Sequence, residues 1–199
     1  TAEQIVRRIN EKASLPVEMG QLNLILFGED LAGRGLSHFV DTIGRNPDVG
    51  ITGKMAVVDG RAQELLTREY KKLYGSPAKY ITRMLKSDIR TGNMPRTNIH
   101  LFGNDLYDPS CDPFLPLIGL EKDYVAIRGL ALFDGNRYVG HVSAEDMFVF
   151  RRMYERTDSG MYELDLSGEG QKGIANIKNI NSAYSYEVRD EKTIPSITI

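Results

Sequence analysis

The chain has 199 residues, 41% hydrophobic and 26% charged, with a formal net charge of −2. That length allows one large domain or two small ones with a real core, and the composition excludes disorder. The near-neutral balance removes any general pull toward nucleic acid or anionic membrane, and no apolar run approaches the ~18 residues that span a bilayer.

No signal peptide is visible. A start at Thr1 inside a helical pattern and an end at Ile199 inside a strand pattern predict a processed or excised piece. One cysteine, Cys111, rules out an internal disulfide framework and cannot build a thiolate metal site alone. It follows Pro109 and Ser110 rather than an apolar leader, so it is not a lipid-attachment cysteine.

In chain order, residues 1–14 read as a helix, with Thr1 and Gln4 at capping-box spacing and Ile5, Val6, Ile9 and Ala13 on one face; Pro16 ends it. "QLNLILF" (21–27) reads as a buried strand, and one helix is expected from Glu29 to Ile43. "NPDVG" is a turn and "ITGKMAVV" (51–58) a second strand. "RAQELLTREYKKLY" predicts a helix, followed by a second one capped by Ser76 with Pro77 at its first position and a stop at Gly92. "TNIHLF" (97–102) is expected to be a strand. Residues 103–123 hold three prolines, two glycines and several acids, the composition of a linker, with Phe114, Leu115, Leu117 and Ile118 keeping part of it docked. "YVAIRGLALF" and "RYVGHVS" flank "DGN", a hairpin signal. "AEDMFVFRRMYER" follows as a helix, then strands at "GMYELDL", "AYSYEVRD" and "SITI".

This grammar predicts an α+β, mixed α/β chain of two units, each a small mixed β-sheet flanked by α-helices. The expected division is 1–118 for an N-terminal α/β domain, 119–123 for a linker and 124–199 for the start of a C-terminal α+β domain.

"LILFGEDLAGRG" (24–35) has the strand–glycine–helix order of a nucleotide site. A dinucleotide fingerprint needs G-x-G-x-x-G and a P-loop needs a lysine after its last glycine. Here Gly28, Gly33 and Gly35 are spaced five and two, and Leu36 follows. Glu29 and Asp30 sit where a phosphate would, and they repel it while stabilising the helix start. A structural strand-to-helix turn is the stronger reading. No G-x-S-x-G elbow is present. His38, His100 and His141 lie far apart in sequence, and each reads as an ordinary histidine rather than a catalytic or metal-binding one. Asp105, Asp108 and Asp112 lack calcium-loop spacing. "REYKK" and "FRRMYER" interleave bases with aromatics, but the aromatics fall on apolar helix faces, so the bases are expected to be wet and nucleic acid is not an expected partner. No catalytic residue, cofactor site or metal site is expected, and an interaction module outweighs an enzyme.

The order of signals resembles a known family, the C-subunit lipoproteins of spore germination receptors, the Ger(x)C or GerAC-like family. Gly28, Glu29, Ala32, Gly35 and Arg45 match the family's strand, G-E-x-x-A-x-x-G and helix ending in arginine. Gly129, Leu130, Ala131, Phe133, Val139, Gly140 and Glu145 match the opening of its C-terminal domain. "MAVVDGRAQELL" is similar to the strand and helix start that follow the first motif. The resemblance covers roughly residues 20–166, and the tail after Gly168 matches weakly. It implies that the leader, the lipid-bearing cysteine and the first strands precede Thr1. It further implies a non-enzymatic subunit, lipid-anchored on the outer face of the inner spore membrane, that acts with two membrane subunits to trigger germination. The fragment itself is expected to be soluble. The alternative is a subunit that binds the germinant directly, in a groove between the two units. A third class is a cryptic enzyme acting on phosphate-containing substrates.

Overall fold

The computed structural model describes residues 2–13, 22–46, 49–50, 53–70, 75–155, 159–165, 172–178, 183–189 and 192–198. The stop at Pro16, the turn at 47–48, the strand start at 51–52 and helix residues 71–74 lie outside them. The chain divides into two compact units, residues 1–85 with 97–144, and residues 86–96 with 145–199.

The first unit is built on a five-stranded mixed sheet in the order β1-β2-β3-β4-β5. Its strands are β1 (Leu24–Gly28), β2 (Lys54–Val58), β3 (Phe114–Glu121), β4 (Tyr124–Asp134) and β5 (Arg137–Ser143). β1, β2 and β3 run parallel, and β3, β4 and β5 form an antiparallel meander. Period-two alternation sorts the sheet residues into two faces. Phe27, Met55, Val57, Leu115, Leu117, Ala131 and Phe133 join one hydrophobic core with Ala32, Leu36, Val40, Ile43, Ile99 and Phe102 from the helices. Ala56, Val58, Ile118 and Leu130, of opposite parity, are equally buried, as are Leu65, Ile81 and Leu85. A sheet buried on both faces explains why its strands read as unbroken apolar runs.

Several expectations change in detail. The single helix expected over 29–43 is two, α2 (Glu29–Arg34) and α3 (Ser37–Gly44), because Gly35 takes φ +111° between them. The first helix, α1, is Ala2–Asn10. The helix after the second strand, α4, stops at Thr67, where Arg68 turns extended and its guanidinium reaches Lys122 O at 2.5 Å and Asp123 Oδ1 at 2.8 Å. α5 (Pro77–Thr91) begins as expected, with Ser76 Oγ accepting from the Lys79 amide at 3.4 Å.

The expected strand at 97–102 is a helix, α6 (Ile99–Tyr107). Asn98 caps it, its Oδ1 accepting from the Leu101 amide at 2.8 Å, and Ile99 and Phe102, three residues apart, are its buried positions. The expected linker contains β3, a strand buried from Phe114 to Gly119 and half-buried at Leu120 and Glu121. Pro116 is tolerated there because pairing to β2 starts at Leu117, so no β2 neighbour needs its missing amide.

The hairpin β4–β5, which follows the expected linker, pairs with β3 in the five-stranded sheet, with Phe133 backed by Phe102 at 5.2 Å between ring centroids. The physical reason is that β3 needs a partner on its second edge, and β4 follows it after a two-residue turn.

The second unit contains α7 (Met147–Tyr154) and two antiparallel ladders among its described residues, β6 (Ser159–Asp165) with β7 (Lys172–Lys178), and β8 (Ala183–Arg189) with β9 (Lys192–Thr198). The expected strands at "GMYELDL", "AYSYEVRD" and "SITI" are therefore present, though the pairing here is antiparallel rather than mixed. The expectation of wet bases on α7 is overturned. Arg151 is 7% exposed and Arg152 1%, whereas Met153 is 50% exposed. Glu155 binds the Arg151 Nε at 2.5 Å, and the Arg152 guanidinium lies 4.7 Å from the Phe148 ring centre. Among the described residues no helix is long and apolar enough to cross a membrane.

Candidate functional site

Two places in the first unit gather the residues singled out by sequence. The first is a joint between α2 and the β4–β5 hairpin. β1 ends at Gly28, whose φ of −64° is ordinary; what constrains it is the Gly60 carbonyl, 3.2 Å from where a Cβ would stand. Glu29 opens α2 and its carboxylate charge acts on the Tyr138 phenol of β5, whose hydroxyl lies 3.5 Å from His141 Nδ1. Burial first, then the Glu29 carboxylate and the Asp59 charge, pushes the Tyr138 phenol above its ordinary range. Ala32 is fully buried under the sheet. At Gly35 a Cβ would stand 3.1 Å from Asn136 Oδ1. Asn136, in the hairpin turn, accepts the Leu36 amide on its carbonyl at 2.9 Å and donates from Nδ2 to Ser37 Oγ at 2.8 Å.

The hairpin motif serves the same joint. Gly129 takes φ +148°, and a Cβ there would fall 1.8 Å from Val142 O, so this position accepts no side chain. It stands where the β3–β4 register shifts, between Leu117 and Ile118, with Arg128 as the extra residue. Phe133 is core, Gly140 pairs with Leu132 beside a second register shift, and Glu145 lies just past β5. Two motifs about a hundred residues apart in sequence thus meet across one sheet. Sequence reasoning missed Asn136 and Tyr138, which lie on the hairpin side of this joint. The "DGN" turn was visible; its partner was not.

The second place is a cleft of about 420 Å³ between α3 and α6. Val40, Ile43, Val49 and Ile99 form a buried apolar floor, and Gly103 leaves room beside it. Asp41, Arg45, His100, Asn104 and Tyr107 form the rim. Tyr107 donates its hydroxyl to Asp41 Oδ1, and that bond, with some burial, raises the phenol above its ordinary range. Asn104 Nδ2 lies 3.4 Å from His100 Nε2. Arg45, a matched family residue, lies at the C-terminal end of α3 and is exposed. Helical spacing could have paired Asp41 with Arg45, but the expected strand at 97–102 hid the α6 half of this cleft.

The remaining candidates stay apart. His38 is exposed on α3 and His141 on β5. The Ser110 hydroxyl, then its amide at 2.9 Å, hold the Asp108 carboxyl below its ordinary range, which is a loop-turn arrangement. Cys111 is exposed. Among the described residues no group of three or more His, Cys, Asp or Glu is placed to hold a metal ion.

Comparison with known proteins converges on one family. A model of the "Spore germination protein N-terminal domain" matches residues 1–120, and one of "Spore germination B3/GerAC like, C-terminal" matches residues 128–199. The chain is similar to a Bacillus cereus spore germination protein, GerQC, at 30% identity over 99% of this chain and 54% of that protein. It is similar to a putative spore germination protein, YfkR, of Bacillus subtilis (strain 168), at 24% identity over 100% of this chain and 52% of that one. The chain therefore spans about half the length of the curated relatives it matches. The crystal structure of the GerBC protein shares the fold, with a TM-score of 0.58 at 16% identity over 95% of this chain and 54% of that one. Motifs, fold and family models agree, and the chain belongs to the GerAC-like spore germination family.

Proposed function

We propose that this chain is part of a non-enzymatic subunit of a nutrient germinant receptor, which acts through contacts with the receptor's two membrane subunits. In the whole protein a lipid anchor would hold it at the outer face of the inner spore membrane. One observation carries the reading: most of the residues that mark the family, Arg45 and Glu145 excepted, are spent on internal joints. Gly28 and Gly129 keep backbones close, Gly35 leaves room for the Asn136 side chain, and the Glu29 carboxylate on α2 acts on Tyr138 of β5. A family signature that preserves shape supports a protein whose surfaces do the work. We propose further that the two family domains, divided near residues 120–128, share the β-sheet rather than folding apart.

The test uses the full-length protein with an affinity tag, purified from detergent-solubilised spore membranes. Both membrane subunits should co-purify, and deletion of the gene should abolish the response to one nutrient class while other nutrients still trigger germination. Purification without either subunit, together with unchanged germination in the deletion strain, overturns the proposal.

A further inference from the structure

We infer that a row of bases on α5 is a docking surface for the anionic headgroups of a phospholipid bilayer. The inference goes beyond the receptor role proposed above and does not depend on it.

α5 runs unbroken from Pro77 to Thr91 and carries four bases, Lys79, Arg83, Lys86 and Arg90, beside one acid, Asp88. At about 3.6 residues per turn the four bases fall within an arc of about 60°, in a row about 16 Å long. All four are exposed, whereas Ile81 and Leu85 on the other side of the helix are buried and Asp88 is half-buried. Among the described residues none of the four forms an ion pair, although Arg7, Arg68 and Arg128 each have one. The row also works against its own helix. Lys79 with Arg83, Arg83 with Lys86, and Lys86 with Arg90 are like charges one turn apart. Lys79 stands in the first turn, at the positive end of the helix dipole, and no acid stands there to offset it. A charged row held against local helix energetics points to an anionic partner. The net charge of −2 on the whole chain hides this segregation, because α5 alone carries +3.

What surrounds the row selects the class of that partner. A specific protein interface draws its energy from apolar and aromatic anchors at its centre, and single-stranded nucleic acid from aromatic side chains on which bases stack. α5 exposes no large apolar or aromatic side chain; Ala78 and Ser87 are the exposed neighbours of the bases. A bilayer surface needs neither anchor nor stacking platform, since about four bases on one helix face attract anionic headgroups by charge alone. Because the apolar side of α5 is packed inside, the helix would lie on the headgroups without inserting.

The experiment is co-sedimentation of the 199-residue chain with large vesicles of phosphatidylcholine, alone or with about 40 mol% phosphatidylglycerol, at about 20 and about 300 mM salt. The chain should bind the anionic vesicles at the lower salt, far less at the higher, and the neutral vesicles at neither. Lys86→Gln should weaken binding about fivefold, and Lys79→Gln with Lys86→Gln about 25-fold. Arg83→Lys with Arg90→Lys should leave it unchanged, because a headgroup surface reads point charges rather than a guanidinium fork. Arg34→Gln with Arg137→Gln removes two exposed bases elsewhere and should also leave it unchanged. The melting temperature of the double Lys→Gln variant should not fall, since it relieves like-charge contacts. No binding to the anionic vesicles at the lower salt overturns the inference, as does binding that the double Lys→Gln variant leaves unchanged. A lower melting temperature for that variant would make the bases structural and overturns it as well. So does binding to a glutamate-rich peptide or to duplex DNA without binding to vesicles, which assigns the row to another class of partner. Co-purification of the membrane subunits reads the receptor role separately, so either proposal can fail alone.

Discussion

At the scale of single residues, glycine and tyrosine carry the sharpest consequences. Gly129 sits at φ +148° with Val142 O where a Cβ would go, whereas Gly28 has an ordinary φ and only a close carbonyl. Gly129→Ala should therefore cost at least about 3 kcal/mol, and Gly28→Val about 1–3 kcal/mol, the difference being backbone strain. Thermal melts of both variants check the ranking; equal losses would contradict it. Tyr138 supplies a pH prediction. Its phenol is raised in the folded chain from 10.0 by burial, then by Glu29 and Asp59. A raised group contributes stability that is complete below its unfolded pKa and is lost as pH climbs through the folded one. Stability should thus fall as pH rises above about 10, and Tyr138→Phe should flatten that fall. Urea unfolding at graded alkaline pH measures it.

At the scale of elements, two joints separate packing from polar bonding. Asn136 links the hairpin turn to the start of α3 through Ser37 at 2.8 Å, a partly buried bond. Asn136→Ala and Ser37→Ala should each cost about 1 kcal/mol, and the double variant little more, because they remove one bond. In α7 the Arg151–Glu155 pair is nearly closed to solvent, with side-chain exposures of 8% and 15%. Glu155→Gln should cost about 3 kcal/mol by leaving a buried guanidinium without its counter-charge. Converting Arg151→Met in the same chain should recover most of that, and urea midpoints distinguish the two. α7 also shows how sequence misleads: "FRRMYER" reads as basic surface, yet the tertiary environment buries both arginines and exposes Met153. Periodicity placed the helix correctly but assigned its faces by residue type. The family residues behaved differently. Gly28, Glu29, Ala32 and Gly35 form the expected strand-to-helix turn, because turn residues and helix-start carboxylates are local properties.

At the scale of the whole molecule, the sheet determines what can be separated. A chain ending at Asp123 keeps the N-terminal family match but lacks Leu130, Ala131 and Phe133 from the core and strips β3 of its antiparallel partner. Such a chain should lose cooperative unfolding, seen as a broad far-UV melt; a sharp transition near that of the intact chain would show that the hairpin is dispensable. Most elements outside residues 97–123, the mixed α/β class and the family were legible in the sequence, since apolar period, turn residues and motif spacing are local. Which strands share a sheet was not legible, because pairing joins positions far apart in the chain. The same holds for α6: "TNIHLF" has a strand's apolar content, and only the Asn98 cap and burial of Ile99 with Phe102 turned it into a helix. Once it is a helix, His100, Asn104 and Tyr107 come to one side of a cleft that no reading of the chain alone displayed. Sequence by itself determined the alphabet of elements and the family they spell. Tertiary structure decided the partnership of α2 with the hairpin motif and the existence of the cleft, because both depend on contacts made only when distant segments bury the same apolar surface.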